Sequence, residues 1–228
     1  MWNVSHKVVY FQMLRTVKDE LLDNMDPMDP LAIRSRRDLR MINKFMGGER
    51  WIINELSQNT EIQHCIEIGA GEGLLSQKIS QIMPHLKVSA LDRIERPLKL
   101  AKEVEWLQKD VLKLSTQMDH SVAIVANLFV HHFTDDVLSK LLGKFKNVGV
   151  ILLAEPYRSP GSLSLGRCLY PIVNSVTRHD MMVSIEAGFK PGELIGLLGD
   201  DWNCHEKKSL LGGIRLKALK TDHRKVGH

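Results

Sequence analysis

Three acidic side chains stand where predicted β-strands end, next to a glycine-dense turn. Glu67 lies near the end of the first strand, Asp92 ends the second, and Asp110 follows the third. The turn after the first strand, Gly69–Gly73, reads Gly-x-Gly-x-Gly. Its glycines allow positive φ angles and let a ligand approach closely, because no Cβ stands in the way. Since parallel strands end at a common edge of the sheet, we expect these residues to share one site.

The three acidic side chains favour an adenosine-containing ligand without phosphate groups. Asp92 could accept hydrogen bonds from both hydroxyls of a ribose, and Asp110 from an adenine amino group, while the Val111 amide donates to the ring. A dinucleotide's pyrophosphate prefers bare amides and is repelled by carboxylates. S-adenosylmethionine carries an ammonium and a sulfonium but no phosphate, so carboxylates can surround it. Each acid alone more often only ends a strand or caps a helix, but the three together predict an S-adenosylmethionine site.

Two adjacent histidines, His131 and His132, follow the fourth predicted strand. A histidine titrates near neutrality and could take a proton from a weakly acidic acceptor. For either imidazole alone, packing within the loop is the commoner role, but we expect at least one of the pair to line the pocket. His179 is a second candidate, since Asp180 could orient its ring and Arg178 could hold an anionic oxygen. A solvated ion pair explains that second group equally well.

Two other chemistries are disfavoured. Asp135 and Asp136 follow Thr134 and are typical of the first turn of a capped helix, so no metal site is predicted. The run Asn127–Val130 begins like the Asn-Pro-Pro-Tyr motif of enzymes that methylate nucleic-acid amines. It lacks the prolines and the aromatic residue that would clamp a flipped base. No nucleic-acid partner is therefore expected.

Hydrophobic periodicity places these residues on an α/β sheet. Helices are predicted near Leu74–Met83, Arg96–Glu103 and Asp135–Phe145, between strands that read as a parallel sheet covered on both faces. The last two strands are joined by a short glycine-containing link, which predicts an antiparallel hairpin. The predicted fold is a Rossmann-like class I methyltransferase sheet of seven strands. The predicted strands are Gln63–Ile68, Lys87–Asp92, Val104–Gln108, Val122–Ala126, Val148–Ala154, Trp202–Lys207 and Ile214–Leu219.

Residues 1–58 are predicted to form a helical extension, or lid, ahead of a cofactor-binding domain at 59–222. Leu14, Val17 and Leu21 recur at helical spacing, and a second helix is expected over Leu31–Met46, ending at two glycines. The apolar stretch Leu163–Val173 would be the wall opposite the lid, although such a stripe is more often simply core.

The chain resembles the small-molecule class I S-adenosylmethionine-dependent methyltransferases, and within them the bacterial group encoded beside type III polyketide synthases. The resemblance is carried by the glycine turn and by three further stretches, which are Arg37–Gly48, Asn127–Phe133 and Thr177–Asp180. It implies methylation of a small phenolic or enol-like metabolite. The chain departs from the expected pattern at Glu155, where an aspartate would be usual, and in the basic residues of its C-terminal segment.

Bulk properties fit this class. The 228 residues carry a formal net charge of +4, too small to indicate nucleic acid by itself, and three scattered cysteines. No membrane span or signal peptide is expected, so a cytoplasmic protein is predicted.

The predicted reaction transfers a methyl group from S-adenosylmethionine to an oxygen, or less often a carbon, of a small aromatic or polyketide-like acceptor, leaving S-adenosylhomocysteine. A non-catalytic cofactor-binding module and a methyltransferase acting on RNA or protein remain as alternatives. Arg37, Arg40 and Asn43 share one helix face, which is ordinarily solvated, but the resemblance suggests that they reach the substrate. The candidate catalytic residues are His131, His132 and His179; the cofactor-binding residues are Glu67, Gly69, Ala70, Gly71, Gly73, Asp92, Arg93, Asp110, Val111 and Asn127; the substrate-binding residues are Arg37, Arg40, Asn43, Arg158 and Arg178.

Overall fold

The computed structural model describes residues 13–114 and 118–221. Seven strands form one sheet in the order β3-β2-β1-β4-β5-β7-β6. The first five strands are parallel, whereas β7 is antiparallel to both β5 and β6. The predicted sheet, including its terminal hairpin, is confirmed. The strands are β1 (His64–Ile68), β2 (Lys87–Asp92), β3 (Val104–Gln108), β4 (Val122–Asn127), β5 (Val150–Pro156), β6 (Trp202–Lys208) and β7 (Gly213–Lys220).

Helices cover both faces of the sheet. Residues along β4 alternate between two apolar cores: Ala123 and Val125 face one, and Ile124 and Ala126 face the other. Burial on both faces explains why the central strands are almost continuously apolar. The helices are α1 (Pro30–Met46), α2 (Gly48–Ser57), α3 (Leu74–Ile82), α4 (Asp135–Lys144), α5 (Pro160–Cys168), α6 (Ser175–Ala187) and α7 (Glu193–Leu198).

The order of the strands creates a crevice. From β1 the chain builds outward through β2 to β3, and then returns to the other side of β1 with β4. The loops that follow β1 and β4 therefore leave the same edge of the sheet in opposite directions. Ligands of open α/β sheets bind at such a point.

Helix α1, which we call the lid helix only because its residues form one wall of the cavity described below, has clear local signals at both ends. Pro30 occupies its first turn, and the Asp29 side chain accepts a hydrogen bond from the Leu31 amide at 2.7 Å. The helix ends at Gly47, whose φ of 70° is the left-handed conformation favoured by glycine. The prediction of a helix that ends at this glycine pair is confirmed.

The helix predicted around Leu14, Val17 and Leu21 is wrong. Residues 13–21 form a non-helical segment, which we call the strap, followed by a 3-10 turn at Leu22–Asn24. Tertiary partners replace helical hydrogen bonds, because the Leu21 and Leu22 amides both donate to the buried carboxylate of Asp180. Residues 1–12 lie outside the described part of the chain.

The helix predicted over Arg96–Glu103 is also wrong, since these residues form an irregular loop between β2 and β3. Pro97 disfavours the helical conformation of the residue before it. The Arg96 guanidinium instead donates to the carbonyls of Ala101 and Val104, at 2.8 and 2.9 Å, and holds the loop in place.

Among the helices in the described part of the chain, none is long and apolar enough to cross a membrane.

Candidate functional site

The glycine turn after β1 is built for close approach. A Cβ added to Gly69, whose φ is 68°, would lie 2.0 Å from Cδ2 of Phe129, so the loop after β4 packs directly on the turn. At Gly71, with φ of 53°, no heavy atom of the described chain lies within 4 Å of such a Cβ. The turn is thus closed against the loop after β4 at its first glycine and open to a ligand at its second.

Two of the predicted acids brace this turn. The Gly71 amide donates to Asp92 Oδ2 at 2.7 Å, which places that carboxylate at the edge of the turn. Glu67 is buried, and it accepts from the Ser76 amide at 2.9 Å. Burial raises the pKa of Glu67 to about 8 despite the hydrogen bonds from Ser76. A cationic ligand nearby would favour the ionised form of this side chain.

A cavity of about 660 Å³ opens from the turn beneath the lid. Its walls come from α1, the glycine turn, the loop after β4, and helices α5 and α6. Leu165, Leu169 and Ile172 form part of the wall opposite α1, as the sequence predicted for that stretch. The predicted cofactor residues that line the cavity are Glu67, Gly69, Ala70, Gly71 and Asn127.

Polar contacts connect the lid with both halves of the crevice. Arg40 forms an ion pair with Glu72 of the glycine turn at 2.5 Å. Asn43 Oδ1 accepts from Asn127 Nδ2, at the end of β4, at 3.1 Å. Asn127 Oδ1 is left buried with no hydrogen-bond partner in the described structure. This oxygen lies against Gly48 at the start of α2, where an added Cβ would meet it at 2.4 Å.

The loop after β4 holds the histidine pair in a constrained conformation. Leu128 has a φ of 55°, which a non-glycine residue adopts only at a cost, and it lies in the cavity wall. The buried carboxylate of Glu155 accepts from the amides of Phe129 and Val130 at 3.0 and 2.9 Å. Glu155 Oε2 also lies 2.7 Å from His131 Nδ1. A single carboxylate therefore fixes both the loop backbone and the His131 ring.

The two histidines have opposite electrostatic environments. Burial alone would lower the pKa of His131, but the carboxylates of Glu155 and Glu20 outweigh it and raise that pKa to about 9. Burial, together with the positive charge on His131, lowers the pKa of His132 below its ordinary value of 6.5. Near pH 7 the pair therefore consists of a protonated His131 and a neutral His132.

The geometry gives each ring a distinct task. The ring centroids lie 4.3 Å apart, and both rings line the cavity. Nε2 of His131 is buried without a hydrogen-bond partner in the described structure, and the nearest carboxylate oxygen of Glu20 lies 3.6 Å away. His131 can thus donate to an incoming anionic oxygen, and His132 can accept a proton.

The same groups could also bind a divalent cation. Donor atoms of Glu20, His131 and His132 lie within 4.8 Å of one another. Two imidazoles and one carboxylate suit a transition metal such as zinc. Of the two aspartates considered as metal ligands from the sequence, both lie in the first turn of α4, and Asp135 forms an ion pair with Arg15 at 2.6 Å.

Several predicted site residues lie outside the cavity lining. Side-chain exposure of His179 is 47%, and Arg178 lies over the Tyr170 ring. Arg158 is buried and donates to the Met13 carbonyl at 3.0 Å, so its contacts are structural. Of the remaining predicted residues, Arg37 and Arg93 are exposed on the surface; Gly73, Asp92, Asp110 and Val111 belong to the same sheet edge but lie outside the cavity lining.

Sequence reasoning missed Arg15 and Glu20 on the strap and the bracing role of Glu155. The Arg15 guanidinium donates to the carbonyls of His131 and Phe133 at 3.0 and 2.8 Å, so it clamps the histidine loop. Nothing local in the sequence marks either strap residue. Glu155 had a signal, because it is an acid inside a strand that is otherwise buried and apolar.

Comparisons with known proteins identify the fold. The plantazolicin methyltransferase BpumL, in complex with S-adenosylhomocysteine, has a TM-score of 0.66 and 13% identity over 86% of this chain and 92% of that one. Human N-acetylserotonin methyltransferase, in complex with S-adenosylmethionine, has a TM-score of 0.58 and 17% identity over 88% of this chain and 61% of that one. The chain therefore has the class I methyltransferase fold.

Sequence comparison adds a short match. A stretch of 56 residues is 32% identical to the ribosomal RNA large subunit methyltransferase G of Vibrio parahaemolyticus, covering 25% of this chain. The match spans 14% of the length of that relative. No family model matches the chain.

Proposed function

We propose that this protein transfers a methyl group from S-adenosylmethionine to an oxygen of a small, largely apolar aromatic or polyketide-like acceptor. The proposal is carried by one observation: the glycine turn after β1 and the histidine pair after β4 meet in a single cavity. The fold supports it, because methyltransferases bound to this cofactor or its product share the architecture.

The residues at the sheet edge suit this cofactor. Asn127 lines the cavity close to the glycine turn, and a small rotation of its side chain would let its amide oxygen accept from the ammonium of the methionine moiety. Asp92 stands at the glycine turn, where it can accept from ribose hydroxyls. Asp110 caps the short turn after β3 by accepting from the Leu112 amide at 2.9 Å, and its other oxygen can accept from the adenine amino group.

The cavity wall indicates an apolar acceptor. Most of the surface beyond the glycine turn is contributed by aliphatic side chains and by Phe45, with the histidine pair at one end. An apolar acceptor gains free energy from burial there, while its hydroxyl remains beside the imidazoles. The lining residues on that side are Leu22, Leu39, Ile42, Phe45, Met46, Leu165, Leu169, Ile172, Met181, Ile185 and Leu211.

In the proposed reaction, His132 takes the proton from the acceptor hydroxyl. His131 donates its Nε2 proton as a hydrogen bond to the developing negative oxygen, and Glu155 holds that ring in place. The oxygen forms a bond to the methyl carbon, and the pair of electrons in the carbon–sulfur bond passes to sulfur, leaving S-adenosylhomocysteine. Alignment of the reacting atoms at about 3 Å can contribute several kcal/mol, and the base adds roughly 10²- to 10⁴-fold.

The test is a methyl-transfer assay with a panel of apolar phenols and methyl-labelled S-adenosylmethionine. We expect label in at least one phenol, with one equivalent of S-adenosylhomocysteine formed per product. Glu103→Gln, on an exposed loop residue, is a matched control for substitutions at the site. Cofactor binding without label transfer to any phenol would contradict the proposed activity and favour a non-catalytic module.

A further inference from the structure

The outer surface around the cavity mouth combines exposed apolar side chains with positive charge. On the hairpin between β6 and β7, Leu210 is 101% exposed and Leu211 is 45% exposed. At the end of the lid, Phe45 is 69% exposed, and Ile172 on the facing wall is 56% exposed. Three of these residues, Phe45, Ile172 and Leu211, also line the cavity. The apolar interior thus continues onto the outer surface without a polar rim at these positions.

The lid helix supplies most of the charge. Five of its 17 residues are cationic, and its only acid, Asp38, is buried and accepts from the Asn174 amide at 2.9 Å. Arg40 is paired with Glu72, but Arg34, Arg37 and Lys44 are exposed and form no ion pair within the described residues, and they are interleaved with the exposed Ile33 and Phe45. Lys207 and Lys208 add positive charge beside the hairpin tip. The cationic residues of α1 are Arg34, Arg36, Arg37, Arg40 and Lys44.

We propose that this face, formed by α1 and the β6–β7 hairpin tip, docks on an anionic lipid bilayer with the cavity mouth against the membrane. A basic helix with exposed apolar side chains binds at the interface between headgroups and acyl chains. Cations attract anionic lipids, while Leu210, Leu211 and Phe45 enter the acyl region. Nucleic acid would match the cations but would leave a fully exposed leucine in water.

Docking would also place the cavity mouth where an apolar acceptor is concentrated. This part of the proposal alone rests on the proposed function. An apolar acceptor concentrates in a bilayer rather than in water. A cavity that opens toward the acyl region would receive it without a transfer through water. The arginine predicted to reach the substrate, Arg37, would then contact lipid headgroups, which agrees with its position on the outer face of the lid.

The test measures binding of the full chain to vesicles of phosphatidylcholine alone and of an equal mixture with phosphatidylglycerol, without cofactor or acceptor. We expect binding to the mixed vesicles that weakens with added salt. Leu210→Glu should weaken it by at least about tenfold, because a charge replaces a leucine that would otherwise enter the acyl region of the bilayer. Leu98→Glu is the matched control: Leu98 is 104% exposed on the loop between β2 and β3, and its substitution should change binding less than about twofold.

Two matched charge-reversal variants complete the vesicle-binding experiment. Arg34→Glu/Lys44→Glu should weaken binding to mixed vesicles by more than about 20-fold, since each cation near an anionic surface is worth about fivefold. Lys102→Glu/Lys146→Glu, with the same charge change at exposed positions outside this face, should have a much smaller effect.

Three results would overturn the proposal. The first is that the unaltered protein does not bind vesicles, and the second is that Leu210→Glu and Leu98→Glu lose vesicle binding equally. The third is a dimer in sedimentation that Leu210→Glu dissociates, which would make this face an interface between copies of the chain. Tight salt-sensitive binding to RNA that Leu210→Glu does not alter, in the absence of vesicle binding, would assign the face to nucleic acid. Because the measurement involves no methyl transfer, its failure leaves the proposed enzymatic function standing.

Discussion

Replacing Glu155 by glutamine is expected to shift the alkaline limit of activity to lower pH. In the proposed reaction His131 must be protonated and His132 must be neutral, so kcat/KM should rise through the lowered pKa of His132 and fall through that of His131. The falling limb of the unaltered enzyme is expected near pH 9, where His131 loses its proton.

The size of the shift follows from the contact. Glu155 Oε2 lies 2.7 Å from His131 Nδ1, and both side chains are buried. A hydrogen bond between charged groups contributes roughly 1.5–3 kcal/mol, and about 1.4 kcal/mol corresponds to one pKa unit. Removing the charge while keeping the shape should therefore lower the pKa of His131 by about one to two units.

The assay is the pH dependence of kcat/KM for one phenol, together with an NMR titration of the His131 ring. Glu155→Gln should move both the alkaline limb and the NMR titration to lower pH, while the affinity for S-adenosylhomocysteine at pH 6 stays unchanged. Glu103→Gln, at an exposed loop position, should move neither. If the limb stays near pH 9 in Glu155→Gln, or if the ring titrates without any change in the limb, the roles given to this pair are refuted.

Three further outcomes are expected. His132→Ala should lower kcat by roughly 10²- to 10⁴-fold without changing cofactor affinity, and unchanged turnover would remove His132 as the base. The pKa of Glu67 is raised from 4.5 to about 8 in the folded state, which therefore binds the extra proton between these values. As the pH rises from 4.5 to 8, the unfolding free energy of the unaltered protein should therefore fall by up to about 1.4 kcal/mol per pH unit more than that of Glu67→Gln. Urea denaturation that gives both proteins the same pH dependence would contradict this. Because Glu20 and the histidine pair can bind zinc, Zn²⁺ should inhibit turnover, a chelator should restore it, and Glu20→Gln should raise the inhibitory concentration; equal inhibition of both proteins would place the metal elsewhere.

The sheet could be predicted because its signals are local. Strand bounds such as Lys87–Asp92 follow from short apolar runs that end at acids or turn residues, and the hairpin follows from the link before Gly213. The lid helix likewise carries its own stop signal at Gly47. Elements of this kind need no knowledge of distant partners.

The strap could not be predicted, because its conformation depends on distant groups. Leu21 and Leu22 have helical spacing, yet their amides bind a carboxylate more than 150 positions away along the chain. Glu20 reaches the histidine loop only because of that arrangement. Similarly, Arg178 and His179 were predicted to be functional from their residue types alone, and in the fold both side chains are exposed at the surface.

Binding of S-adenosylhomocysteine tests the central claim most directly. Calorimetric titration of the unaltered protein should show one site with micromolar affinity. Asp92→Ala should weaken it by about 10- to 100-fold, the value of a lost hydrogen bond to a charged group. Absence of binding at protein concentrations that would detect micromolar affinity, or equal affinity in Asp92→Ala, would contradict a cofactor seated at the carboxyl edge of this sheet.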